Sequence, residues 1–74
     1  MSGRPQRETI EIVVNGRPLL APPGTLQALV DSQSLSNVKV ATAVNGHFVA
    51  ASRRATTLLQ TGDRVEIVSP RQGG

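Results

Sequence analysis

The sequence predicts an α+β fold: a roll built on a mixed sheet of four to five strands, with one main helix packed on one face. Three observations carry this. β-Branched residues gather in two short runs near opposite ends of the chain, Ile10-Glu11-Ile12-Val13-Val14 and Val65-Glu66-Ile67-Val68, the composition that suits half-buried strands. Two Asn-Gly pairs, Asn15-Gly16 and Asn45-Gly46, each sit between short apolar runs, as tight hairpin turns do. One segment, opening at Thr25, carries Leu26, Leu29 and Val30 at helical spacing.

Taken in order, residues 9–14 alternate, with Ile10, Ile12 and Val14 on one side, and Asn15-Gly16 turns the chain into a returning strand over residues 17–21. Pro22-Pro23-Gly24 breaks that strand, and Thr25 is placed to cap a short helix that fades near Ser32 to Ser36. Residues 40–44 form a third strand, ended by Asn45-Gly46, with a brief fourth pairing at Phe48-Val49. Thr61-Gly62-Asp63 is the last turn and leads into residues 64–68, where Val65 and Ile67 face one way and Arg64 and Glu66 the other. Pro70, which has no N–H to donate, ends the ladder. The first and last strands are the richest in β-branched residues and are predicted to be parallel neighbours in the middle of the sheet, since the connection between them is long enough for a crossover. Residues 1–8 are then a flexible arm, 9–69 the folded domain, and 70–74 a flexible tail leaving from mid-sheet.

Length and composition exclude several functions. A chain of 74 residues buries only about 60% of its unfolded surface, which leaves little room for a deep catalytic pocket. Without cysteine there is no disulfide, thiolate ligand or thiol nucleophile. No apolar run is long enough to span a bilayer, and the first seven residues lack the apolar stretch of a signal peptide; a cytoplasmic, membrane-free protein is expected. The net charge of +3 comes from scattered basic residues, with Arg53-Arg54 the only adjacent pair. Phe48 is the single Phe, Tyr or Trp, so the stacking platform common in single-strand nucleic-acid binders is missing. No nucleic acid partner is expected.

The remaining candidates are small. His47, beside a turn with no Cys or second His, reads as a surface residue, and no metal site is expected. Arg53-Arg54 reads as a solvated pair, Asp63 as a turn stabiliser. No base and orienting acid can be assigned beside Ser32, Ser34 or Ser36, so none is a nucleophile. The tail is different. Its five residues, Pro70-Arg71-Gln72-Gly73-Gly74, extend about 17 Å at roughly 3.3–3.6 Å per residue, far enough to enter another protein's active site. Gly73 and Gly74 lack β-carbons, so the backbone passes through a narrow channel in conformations other residues resist.

Pro22-Pro23-Gly24-Thr25-Leu26, Ala41-Thr42-Ala43-Val44-Asn45-Gly46 and Leu59-Gln60-Thr61-Gly62-Asp63-Arg64-Val65-Glu66-Ile67-Val68 precede the terminal Gly-Gly in that order. Together they resemble the thiamine-biosynthesis sulfur carriers of the ThiS family, ubiquitin-like β-grasp proteins, from Ile10 to Gly74. One departure is at residues 50–54, where similar carriers usually place a proline.

The resemblance implies that the chain is not an enzyme but a protein co-substrate. An adenylating enzyme of the ThiF type would activate the Gly74 carboxylate, a sulfur donor system would convert it to a thiocarboxylate, and thiazole synthase would receive the sulfur. The chemistry is coherent, because an α-carboxyl group with a pKa of about 3.3–3.7 is ionised at neutral pH and is a poor acyl electrophile until it gains a leaving group. ATP and Mg would be used by the partner, with no cofactor bound here: the sequence has no phosphate-cradling Gly-rich loop and one lysine, Lys39. Gly73, Gln72 and Arg71 would govern access of the tail. A carrier that docks on at least two enzymes and is monomeric when free needs an apolar patch on the sheet face away from the helix, for which Val13, Val68 and Phe48 are the candidates. Two other readings remain open on the sequence alone: a carrier of the same fold serving another pathway, such as molybdopterin synthesis, and a ligand- or RNA-binding module similar to the TGS domains of some tRNA synthetases.

Overall fold

The computed structural model describes residues 9–33 and 39–69. In chain order these form β1 (Ile10–Val14), β2 (Arg17–Ala21), helix α1 (Leu26–Ser32), β3 (Ala41–Val44), β4 (His47–Val49), a 3₁₀ helix (Ala51–Thr56) and β5 (Arg64–Val68). The strands make one sheet in the order β2-β1-β5-β3-β4. β1 and β5 run parallel and the other neighbours antiparallel. The architecture is therefore the α+β roll the sequence predicts, with β5 at its centre. The arm 1–8 and the tail 70–74 lie outside the described residues.

Both hairpins are set by their Asn-Gly pairs. Asn15 and Gly16 have φ of 51° and 84°, and Asn45 and Gly46 have 53° and 85°, the positive values at both central residues that a type I′ turn requires. The two-residue turn makes Val14 and Arg17 the first paired residues, so Arg17, Leu19 and Ala21 bond towards β1. Pro18 then sits where its missing N–H faces the open edge of the sheet, which is why a proline is tolerated inside a strand.

Helix α1 starts where Thr25 Oγ1 accepts a hydrogen bond from Ala28 N at 3.1 Å, a capping contact that satisfies one of the otherwise unpaired first-turn amides. Its stripe of Leu26, Leu29 and Val30 packs with Ile12, Ala21, Leu59, Val65 and Ile67 into the buried core. The helix is tied down at its start: Leu26 N bonds to Thr57 O at 2.8 Å and Leu59 N to Gly24 O at 2.9 Å. The Ser32 hydroxyl donates to Leu29 O at the helix end, where it serves the backbone.

Arg53-Arg54 is not the solvated pair the sequence suggests. Arg53 is exposed, but Arg54 is buried, because the 3₁₀ helix turns it under β3. There its Nε donates to Thr42 Oγ1 at 2.9 Å and its Nη2 to Val40 O at 2.7 Å. Thr42 is itself 1% exposed, and its hydroxyl donates a hydrogen bond to Val49 O at 2.7 Å. A buried cation is tolerated only when its donors find acceptors, and here they bind the 3₁₀ segment to the β3–β4 hairpin. Nothing in the spacing of residues 51–56 announces that helix, since at three residues per turn six residues build no amphipathic stripe.

Candidate functional site

Its central place gives β5 the most distinctive geometry of the described residues, because it is held on both flanks, by β1 at its start and by β3 along its length. On the β1 side, Val13 N bonds to Asp63 O at 3.0 Å and Asn15 N to Val65 O at 2.9 Å. On the β3 side, Asn45 N bonds to Arg64 O at 2.7 Å, and the register runs on to Val68 opposite Ala41. The turn before β5 is equally well tied. Asp63 accepts from Gln60 N at 2.8 Å and from Asn45 Nδ2 at 3.0 Å, the turn-stabilising part expected of it. Gly62, at φ 98°, takes a conformation that suits glycine.

The two Asn side chains do more than make turns. Asn45 Oδ1 accepts from Arg64 N at 2.9 Å. Asn15 Oδ1 accepts from Ile67 N at 2.9 Å while its Nδ2 donates to Ile67 O at 3.1 Å. Their carboxamides continue the hydrogen-bond ladder of β5 past the ends of its neighbours.

Of the candidate site residues, Gly74, Gly73, Gln72 and Arg71 lie outside the described residues. Val13, Val68 and Phe48 do share the sheet face opposite α1. Phe48 pairs with Ala43, which pairs with Glu66, and Val68 pairs with Ala41; Val13 lies beside Arg64 in the parallel register. Phe48 is 71% exposed and Val68 57%, whereas Val13 is half-buried. Arg64 and Glu66 separate Val13 from the other two, so the apolar face has two fields. Sequence reasoning missed Leu20, 63% exposed on β2. Its position opposite Glu11 puts it on this face, and the alternation Leu19-Leu20-Ala21 was the available signal. With Val13, Pro18, Glu11, Thr61 and Gly62 it borders a shallow cleft of about 450 Å³.

His47 is exposed, and among the described residues no group of three or more His, Asp or Glu is placed to hold a metal ion. Nor is any described helix long and apolar enough to cross a membrane.

Fold and site together define a β-grasp protein whose exposed apolar sheet face adjoins the root of its C-terminal segment. The model of the ThiS family matches residues 5–74, five residues further towards the N-terminus than the resemblance from Ile10 reaches. This chain belongs to the ThiS family, which supports a sulfur-carrier role in thiamine biosynthesis. Among solved structures, it is similar to the thiamine biosynthesis protein ThiS from Geobacter metallireducens, with a TM-score of 0.72 and 22% identity over 81% of this chain and 93% of that one. No curated protein sequence matches the chain.

Proposed function

We propose that this chain carries sulfur on its C-terminus. A partner enzyme of the ThiF type, using ATP and Mg, adenylates the Gly74 carboxylate; a sulfur donor displaces AMP to leave a thiocarboxylate; and thiazole synthase takes the sulfur for the thiazole of thiamine. The chain itself is a co-substrate and not a catalyst. The observation that carries the reading is the family match running through Gly73 and Gly74, on a body whose central strand β5 ends at Val68, five residues before Gly73. Intact-mass analysis after incubation with ATP, Mg, the activating enzyme and a sulfur source tests it. A gain equal to exchanging one oxygen for sulfur at the C-terminus is expected; an unchanged mass alongside a positive control carrier would refute the reading.

The exposed sheet face is proposed to dock the activating enzyme. Phe48 and Val68 are largely solvent-exposed, so replacing either by Asp should leave the fold intact while placing a charge in an apolar contact. At least one of Phe48→Asp, Val68→Asp and Val13→Asp should weaken binding roughly tenfold or more, about 1.4 kcal/mol, as expected where a few apolar anchors dominate an interface. Leu58→Asp is the matched control, since Leu58 is 68% exposed but bridges to Thr25 beside the helix start. Equal affinity for all four variants and the parent chain, read by titration calorimetry, would remove this face from consideration.

A further inference from the structure

We infer that the Asn15 carboxamide is a positioning clamp for the C-terminal segment, holding the last doubly paired residue of β5. This rests on the carrier reading above. Strand β1 ends at Val14 and the chain turns back into β2, while β5 continues to Val68. The register pairs Val14 with Val65, so Ile67 lies beyond the end of β1. Without a substitute, its N–H and C=O would have no strand partner on that side. Asn15 supplies one: Oδ1 accepts a hydrogen bond from Ile67 N at 2.9 Å and Nδ2 donates one to Ile67 O at 3.1 Å, the two bonds a neighbouring strand would make. The same residue's backbone N bonds to Val65 O at 2.9 Å, so backbone and side chain hold alternate positions of one strand. Ile67 is three residues before Pro70. Pairing on both flanks therefore persists almost to the base of the segment that must thread into a partner, and a handle with fewer loose residues loses less entropy on threading.

Asn45 provides the internal comparison. It occupies the same kind of turn, at φ 53°, and also bonds β5 through its side chain, but at Arg64 and Asp63, the end of the strand remote from the tail. Glycine tolerates the positive φ of both sites, so Asn15→Gly and Asn45→Gly each delete a carboxamide and keep the turn.

The experiment measures, for both variants, thermal unfolding, amide hydrogen exchange at Ile67 and Val68 in the free chain, and steady-state adenylation by the activating enzyme as a function of carrier concentration. Asn15→Gly should accelerate exchange at Ile67 at least about tenfold and raise KM for the carrier roughly tenfold with kcat little changed, the penalty of re-ordering about one residue of backbone. Asn45→Gly should lose a similar amount of thermal stability yet match the parent chain in KM and in exchange at Ile67. Equal KM changes in the two variants, or no change in either, would mean the carboxamide is merely structural and would overturn the inference. Unaltered exchange at Ile67 in Asn15→Gly would overturn it too, with no partner enzyme needed. Failure of the parent chain to be adenylated at all is a different result: it overturns the carrier reading and, with it, the positioning role.

Discussion

Deleting Gly74 is expected to abolish sulfur acceptance, and replacing Gly73 by Leu or Trp to reduce it to near background, while neither change alters the melting temperature by more than about 1 °C. In the proposed reaction the acceptor is one carboxylate at the end of a slender chain. Removing Gly74 moves that group back by one residue, at most about 3.3–3.6 Å along an extended chain. Misplacement by even about 1 Å can cost roughly a hundredfold in rate, so withdrawal by a whole residue leaves the carboxylate out of reach of the adenylating phosphate. A bulky side chain at Gly73 acts differently, by filling a channel that a bare backbone would pass. The buried core is made by residues between Ile12 and Ile67, none of which either change touches. Intact-mass measurement of the thiocarboxylate, paired with thermal unfolding, separates the two effects. Thiocarboxylate at the level of the parent chain in either variant would sink the tail mechanism, whatever the family.

The second large effect is on the fold. Leu26→Ala should destabilise the domain by about 2–5 kcal/mol, the range for truncating a fully buried Leu, and lower the melting temperature by more than about 8 °C. Leu26 is 0% exposed. It is also fixed from below, because its own backbone N–H bonds to Thr57 O, so the helix start cannot slide to fill the vacated volume. For a domain of this length total stability is roughly 4–11 kcal/mol, so a large share of it would be lost. Thermal and urea unfolding check the value; a loss below about 1 kcal/mol would mean that the surrounding core collapses onto the gap. Sulfur acceptance at low temperature should survive in the fraction that remains folded.

How much of this was legible beforehand differs by residue. Strand alternation, the Asn-Gly turns and the capping Thr25 are local signals, and the structure reproduces them closely: the expected strand over 40–44 starts one residue later, and the pairing at Phe48-Val49 gains His47. The face shared by Val13, Val68 and Phe48 was legible too, because period-two alternation assigns faces once the sheet is granted. Leu20 was equally available and was overlooked. Arg54 was not legible. An arginine beside another arginine carries no mark of burial, and its acceptors, Val40 O and Thr42 Oγ1, lie 14 and 12 residues away.

The amino-acid order alone determined the strand-turn-strand and helix segments, the β-branched runs suited to the centre of the sheet, and a Gly73-Gly74 pair without β-carbons. These are properties of neighbours along the chain, set by backbone sterics and by side-chain periodicity. Tertiary structure decided which groups meet across the sheet: that Asn15 reaches Ile67, 52 residues on, and serves it as a strand would; that Asn45 does likewise at Arg64; and that Arg54 is drawn inside. The physical reason is that a buried or strand-flanking polar group must find its hydrogen-bond partner wherever packing places one, and packing joins positions whose separation no local pattern records.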